Sequence, residues 1–99
     1  MIFAEMDYPE SYSDFHNELK MHLSGYFQRL ESGLQGDSWF WIHEQEGKVA
    51  IDTFTSMKHQ VKAPSSGPHV QKVIQVLQAR YKVKVYAEPL PEGHEAHQA

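Results

Sequence analysis

Ser38–Phe54 reads SWFWIHEQEGKVAIDTF, two runs of large side chains with Gly47 between them. Gln45-Glu46-Gly47 supplies a hairpin turn, because glycine takes the positive φ that such loops demand. A half-buried strand alternates apolar with polar residues, yet here Trp39 and Trp41 lie on one face while Phe40 and Ile42 lie on the other. Both faces of the hairpin therefore carry apolar surface. Covering two aromatic side chains of ~150–250 Å² each at ~25 cal/mol per Å² is worth several kcal/mol, comparable to much of a small domain's stability. Surface of that kind, left bare, invites association.

Two registers are open. With a two-residue loop, Phe40 and Ile42 oppose Val49 and Ile51 and make a core face with Val83 and Val85. The opposite face then carries Trp39, Trp41, His43, Asp52 and Phe54, with Lys82, Lys84 and Tyr86 on the C-terminal strand. With a three-residue loop and a bulge, Trp41 meets Ile51 in the core and Phe40, Ile42 and Phe54 are left outside. The second strand is expected to run past Phe54 as far as Val61 or Lys62, bending near Ser56.

Upstream, Ile2–Met6 is a short apolar segment of strand character. Asp7-Tyr8-Pro9-Glu10 and Ser11-Tyr12-Ser13-Asp14 both offer helix starts. Tyr12, Phe15, Leu19, Leu23, Tyr26 and Leu30 then recur at three- and four-residue steps, the stripe of an amphipathic helix. Gly25 weakens this helix by ~1 kcal/mol without ending it, and Gly33 and Gly36 supply the stop. Downstream, Ala63-Pro64-Ser65-Ser66-Gly67-Pro68 is a loop, and Val70, Val73, Ile74, Leu77 and Tyr81 trace a second helix. Tyr81–Ala87 has the period of a strand, ended by Pro89 and Pro91. The polar tail 91–99 is expected to be disordered and residues 1–90 to form one domain.

The order βαββαβ is that of a ferredoxin-like split-βαβ sandwich, one antiparallel sheet with both helices on one face. If Ile2–Met6 does not pair, the order shrinks to αββαβ. Helices on one side leave the other to water or a partner.

Length and composition narrow the class. Ninety-nine residues allow one core, and 40% apolar content with two Trp, five Tyr and five Phe argues against intrinsic disorder. Without cysteine there is no disulfide, no thiolate metal site and no cysteine nucleophile. The start MIFAEMDYPE lacks the basic-then-apolar pattern of an export signal, and no apolar run approaches the ~20 residues of a membrane span, so a cytoplasmic protein is expected. The net charge of −4 hides an asymmetry. Residues 1–50 hold nine acids against Lys20, Arg29 and Lys48, a net of −6; residues 51–87 set six bases against Asp52, a net of +5; the remainder adds −3. Such a chain meets itself head to tail, offers its basic half to an anion, or cancels its charges within the fold.

Chemistry-bearing patterns are sparse. His16 and His22 stand six apart, ~240° around a helix, and cannot share an ion from one face. His94 and His97 lie in the tail, and the HExxH spacing is absent. No metal or cofactor is therefore expected and the histidines read as solvated, His43 beside Trp41 being a strand histidine at the sheet face. No GxSxG, P-loop or paired carboxylates occur. Asp52, set among apolar residues, is expected to pair across the sheet with Lys82 or Lys84.

In element order the chain resembles RNA-recognition modules, with Trp39, Trp41, Tyr86, Lys82 and Lys84 as the aromatic and basic set. Their RNP1 pattern is missing, however, since the third strand reads Lys48-Val49-Ala50-Ile51-Asp52-Thr53-Phe54-Thr55 with an acid in place. It also resembles acylphosphatases in size and order, but where they have a glycine-rich, arginine-bearing cradle it has Glu5-Met6-Asp7-Tyr8-Pro9-Glu10, which repels phosphate. The glycine that amino-acid-binding regulatory modules favour at that turn is absent too. In size the chain is similar to the dimeric α+β barrel families, which bury sheet against sheet and include cofactor-free oxygenases. The expectation is a non-enzymatic interaction or regulatory domain that associates through Trp39, Trp41, His43, Phe54, Lys82, Lys84 and Tyr86, most simply as a homodimer. Single-stranded nucleic-acid binding and a small-molecule enzyme of the barrel type are the alternatives.

Overall fold

The computed structural model describes residues 1–92. In chain order these form β1 (Ile2–Asp7), α1 (Tyr12–Ser24), β2 (Leu30–Gln35), β3 (Asp37–Glu44), β4 (Gly47–Asp52), β5 (Gln60–Lys62), α2 (Pro68–Gln78) and β6 (Lys82–Leu90). The class is α+β: one six-stranded sheet in the order β2-β3-β4-β5-β1-β6, every neighbouring pair antiparallel, with two helices. The expected four-stranded order is replaced, because two stretches read otherwise in the sequence are strands in their own right.

The first is β2. Helix α1 starts where Ser11 caps it, its hydroxyl accepting the Asp14 N–H at 3.2 Å, but it ends at Ser24 with Gly25 as C-cap. The expected continuation to Leu30 is wrong. Leu30 instead pairs with Ile42, and Gln35 with Asp37 around Gly36 at φ +75°. Gly36 is thus a hairpin turn and Gly33 a strand residue. A strand here completes the hydrogen bonding of β3, a long-range gain that a three-and-four spacing does not reveal.

The second is β5. Strand β4 stops at Asp52, residues 53–59 loop back, and Gln60–Lys62 returns antiparallel to β4 and to β1. The expected single bent strand is therefore a strand, a loop and a strand. Ile2–Asp7 pairs on both sides, so β1 is a central strand; Ile2 and Phe3 sit at a bulge in it. Strand β6 runs through Pro89 to Leu90, with Tyr86–Pro89 unpaired between Val85 and Leu90. Proline is tolerated there because β6 is an edge.

The hairpin takes the two-residue loop: Glu44 faces Gly47 at φ +147°, Phe40 faces Ile51 and Ile42 faces Val49. These four join Val61, Phe15, Leu19 and Leu23 of α1, and Val70, Val73 and Leu77 of α2, in one cluster, which sets both helices on the same side of the sheet. Val83 packs at its margin, but Val85, expected in the core, is 44% exposed on the edge strand β6. Of the expected tail, Pro91 and Glu92 are described; residues from 93 on, His94 and His97 included, lie outside the described residues. No helix among the described residues is long and apolar enough to cross a membrane.

Candidate functional site

Cross-strand registers lay out the helix-free face as rows. One row runs Glu31, Trp41, Ala50, Lys62, Ile2, Leu90; the next runs Gly33, Trp39, Asp52, Gln60, Glu5, Lys84. Trp39 and Trp41 stand beside each other, centroids 4.6 Å apart and each half-buried. Trp39 lies over Gly33, where a Cβ would come within 2.5 Å of the indole, so the glycine is what lets the ring lie flat. Lys48 holds its ammonium 4.1 Å from the Trp41 centroid, and His43 Nε2 meets Glu31 Oε2 at 2.5 Å.

The predicted surface residues divide into two groups. Trp39, Trp41 and His43 belong to β3, whereas Lys82, Lys84 and Tyr86 belong to β6, four strand positions and ~19 Å away. Lys82 sits opposite Asp7 and Lys84 opposite Glu5, so neither lysine stands over the tryptophans. Phe54 is not on a strand; it lies in the 53–59 loop and is 50% exposed. That loop packs across the middle of the face. Ser56 donates to Glu5 at 3.1 Å, Thr55 to Gln60 at 3.0 Å, and Gln60 to Glu5 at 3.0 Å. The face is accordingly not one open flank but an aromatic patch at β3 and β4, separated from a charged patch at β1 and β6.

Asp52 pairs with Lys62, not with Lys82 or Lys84. Lys62 Nζ donates to Asp52 Oδ1 at 2.7 Å and to Thr55 Oγ1 at 3.1 Å, and lies 2.9 Å from Glu92 Oε2. Asp52 and Lys62 are both almost fully buried. The true partner is the diagonal neighbour on β5, a strand hidden in the sequence because it is three residues long. Beside this pair opens a cleft of about 470 Å³ lined by Trp41, Ala50, Phe54, Met1, Pro64 and Glu92 together with the pair itself. An enzyme of the barrel type needs a closed pocket lined by Trp39, Trp41, His43 and Asp52, whereas this cleft reaches Trp41 and Asp52 but neither Trp39 nor His43.

Beneath the sheet runs a polar chain that the sequence did not disclose. Tyr8 Oη lies 2.7 Å from His59 Nδ1, His59 Nε2 lies 2.7 Å from Ser38 Oγ, and Ser38 Oγ lies 2.6 Å from His16 Nδ1. All four residues are buried, against the expectation of solvated histidines. Donor bookkeeping sets the direction: the Tyr8 oxygen accepts the His59 backbone N–H at 3.3 Å, so its own hydrogen goes to Nδ1. His59 Nε2–H then donates to Ser38, and Ser38 donates to His16. In the reverse direction the Tyr8 hydrogen has no acceptor among the described residues. Burial pushes Tyr8 up to about 12, with the His59 N–H opposing and Glu10 and Glu5 adding. Burial, then the nearby His16, pushes His59 down to about 3. Burial, then Lys20, lowers His16.

A serine between two histidines is the shape of an activated nucleophile. Ser38 and His59, however, have no exposed surface, so no substrate reaches them in this fold. The signal that could have marked the chain is position: Ser38 and His16 fall on core-facing registers where an apolar residue is the default. Opposite charges of the two halves meet inside the fold, where Lys82 and Lys84 of β6 face Asp7 and Glu5 of β1 and Lys72 lies 3.0 Å from Glu44. No family model, no curated protein and no solved structure matches this chain.

Proposed function

We propose that this chain is a non-enzymatic interaction module that takes a protein partner on the helix-free face of its sheet, a second copy of itself being the simplest. One observation carries the reading: Trp39, Trp41 and Phe54 line a half-exposed aromatic patch on the side that no helix covers. Aromatic side chains are the residue types on which association energy concentrates. The buried position of Ser38 favours a structural role for the polar chain over a catalytic one. Nucleic-acid binding is the weaker reading, since Lys82 and Lys84 face acids far from the tryptophans and leave Lys48 beside them. We further read the sheet as a ferredoxin-like plan, β1-α1-β2 and β5-α2-β6, widened by the inserted strands β3 and β4, in a protein of the cytoplasm.

Sedimentation velocity from low micromolar to near-millimolar protein tests this. Expected is a concentration-dependent rise in mass, with acrylamide quenching of the indoles falling in step, both abolished by Trp41→Lys. A monomer over the whole range, with quenching independent of concentration, removes self-association.

A further inference from the structure

We propose that the cleft beside Trp41 recognises an extended peptide segment bearing a carboxylate next to an apolar residue, and that the chain's own Glu92 holds the carboxylate position as a competitor. The inference rests on the interaction reading and names the chemistry of the partner. Lys62 carries it. Its side chain is 5% exposed, and an ammonium has three N–H donors. Asp52 and Thr55, supplied by β4 and the loop that follows it, take two; the third faces the cleft and meets Glu92. An acceptor is obligatory at that third position, because a buried donor left unmade is costly.

Glu92 is the replaceable one of the three. It lies two residues beyond the last strand, where Leu90 pairs with Ile2 and Tyr86–Pro89 have no ladder partner among the described residues. Pro89 and Pro91 remove two backbone donors and favour the extended conformation. The seat suits a peptide. Ala50, Trp41 and Phe54 line it with apolar surface, and Lys48 adds a second positive group at the Trp41 face. With Glu92 displaced, Asp52 neutralises Lys62 and Lys48 remains, so the vacated cleft favours an anion.

The test uses the full chain, wild type and Glu92→Ala, with the blocked pentapeptide Glu-Pro-Leu-Pro-Glu, the same peptide with its last Glu replaced by Gln, and acetate. Binding is followed by tryptophan fluorescence and by the indole N–H resonances. Removal of the internal competitor is expected to tighten the peptide by about tenfold or more, and loss of its last carboxylate to weaken it by about the same factor. Equal affinity for wild type and Glu92→Ala overturns the competitor, equal affinity for the Gln peptide overturns the carboxylate, and acetate binding as tightly as the peptide overturns peptide recognition. Self-association that persists in sedimentation while Glu92→Ala ignores the peptide leaves the interaction reading standing and removes only this one.

Discussion

Acid should unfold this protein through His59, and the size of the effect follows from its burial. His59 is fully buried, with its ring between Tyr8 and Ser38, and its pKa is held down to about 3 from the ordinary 6.5. Below pH 6.5 the unfolded chain takes a proton at this ring while the folded chain does not until about pH 3. The unfolded state therefore binds more protons throughout that window, and stability falls as the pH falls through it. Between pH 7 and pH 4.5 the loss from this one group is ~2.5 kcal/mol, at 1.36 kcal/mol per pH unit over the two units below 6.5. That is a large share of the ~5–15 kcal/mol that holds a domain of this size together. Urea unfolding followed by circular dichroism at the two pH values measures the loss, and His59→Gln isolates it. Glutamine keeps a donor and an acceptor but does not titrate, so its own pH decrement should be smaller than the wild type's by ~2.5 kcal/mol, whatever it costs at pH 7. Equal decrements in the two proteins, or a His59 ring resonance that titrates near 6.5, would refute the reasoning.

Lys62→Met should cost ~3–5 kcal/mol because it leaves Asp52 buried without its ion pair, and Asp52→Leu in the same chain should recover most of that; urea midpoints of the single and double variants decide it. A double variant no more stable than Lys62→Met would show that the pair is not what the single substitution breaks. Gly33→Ala places a methyl 2.5 Å from the Trp39 indole, so the ring should swing into water, with red-shifted emission and a stability loss of ~1–3 kcal/mol. Unchanged emission would mean that Trp39 does not lie over this glycine.

Much of the architecture was readable where local pattern and tertiary need agree. The hairpin turn at Gly47, the Pro68 helix start and the stripe Val70, Val73, Ile74, Leu77 stand as read, although β4 stops at Asp52 and α2 at Gln78, short of Phe54 and Tyr81. Each is encoded within about ten residues, by alternation, turn chemistry or helical spacing. The failures share a different cause. Leu30–Gln35 and Gln60–Lys62 become strands because a neighbour distant in sequence needs their backbone, and three or six residues of mixed polarity carry no period strong enough to announce that. The candidate site suffered likewise: with β4 and β5 read as one strand, Lys62 had no place beside Asp52, and Lys82 and Lys84 came to the tryptophans by default.

By itself the sequence determined the α+β class, the two-faced hairpin and the placing of its tryptophans opposite Phe40 and Ile42, since strand alternation makes that division whatever surrounds it. Only the tertiary structure decided strand order, the pairing of Lys62 with Asp52, the seat of Glu92 and the buried run from Tyr8 to His16. Those contacts join residues 10 to 51 positions apart, and a side chain's partner at such separations is set by which backbones lie side by side, a property of the sheet and not of any stretch of chain.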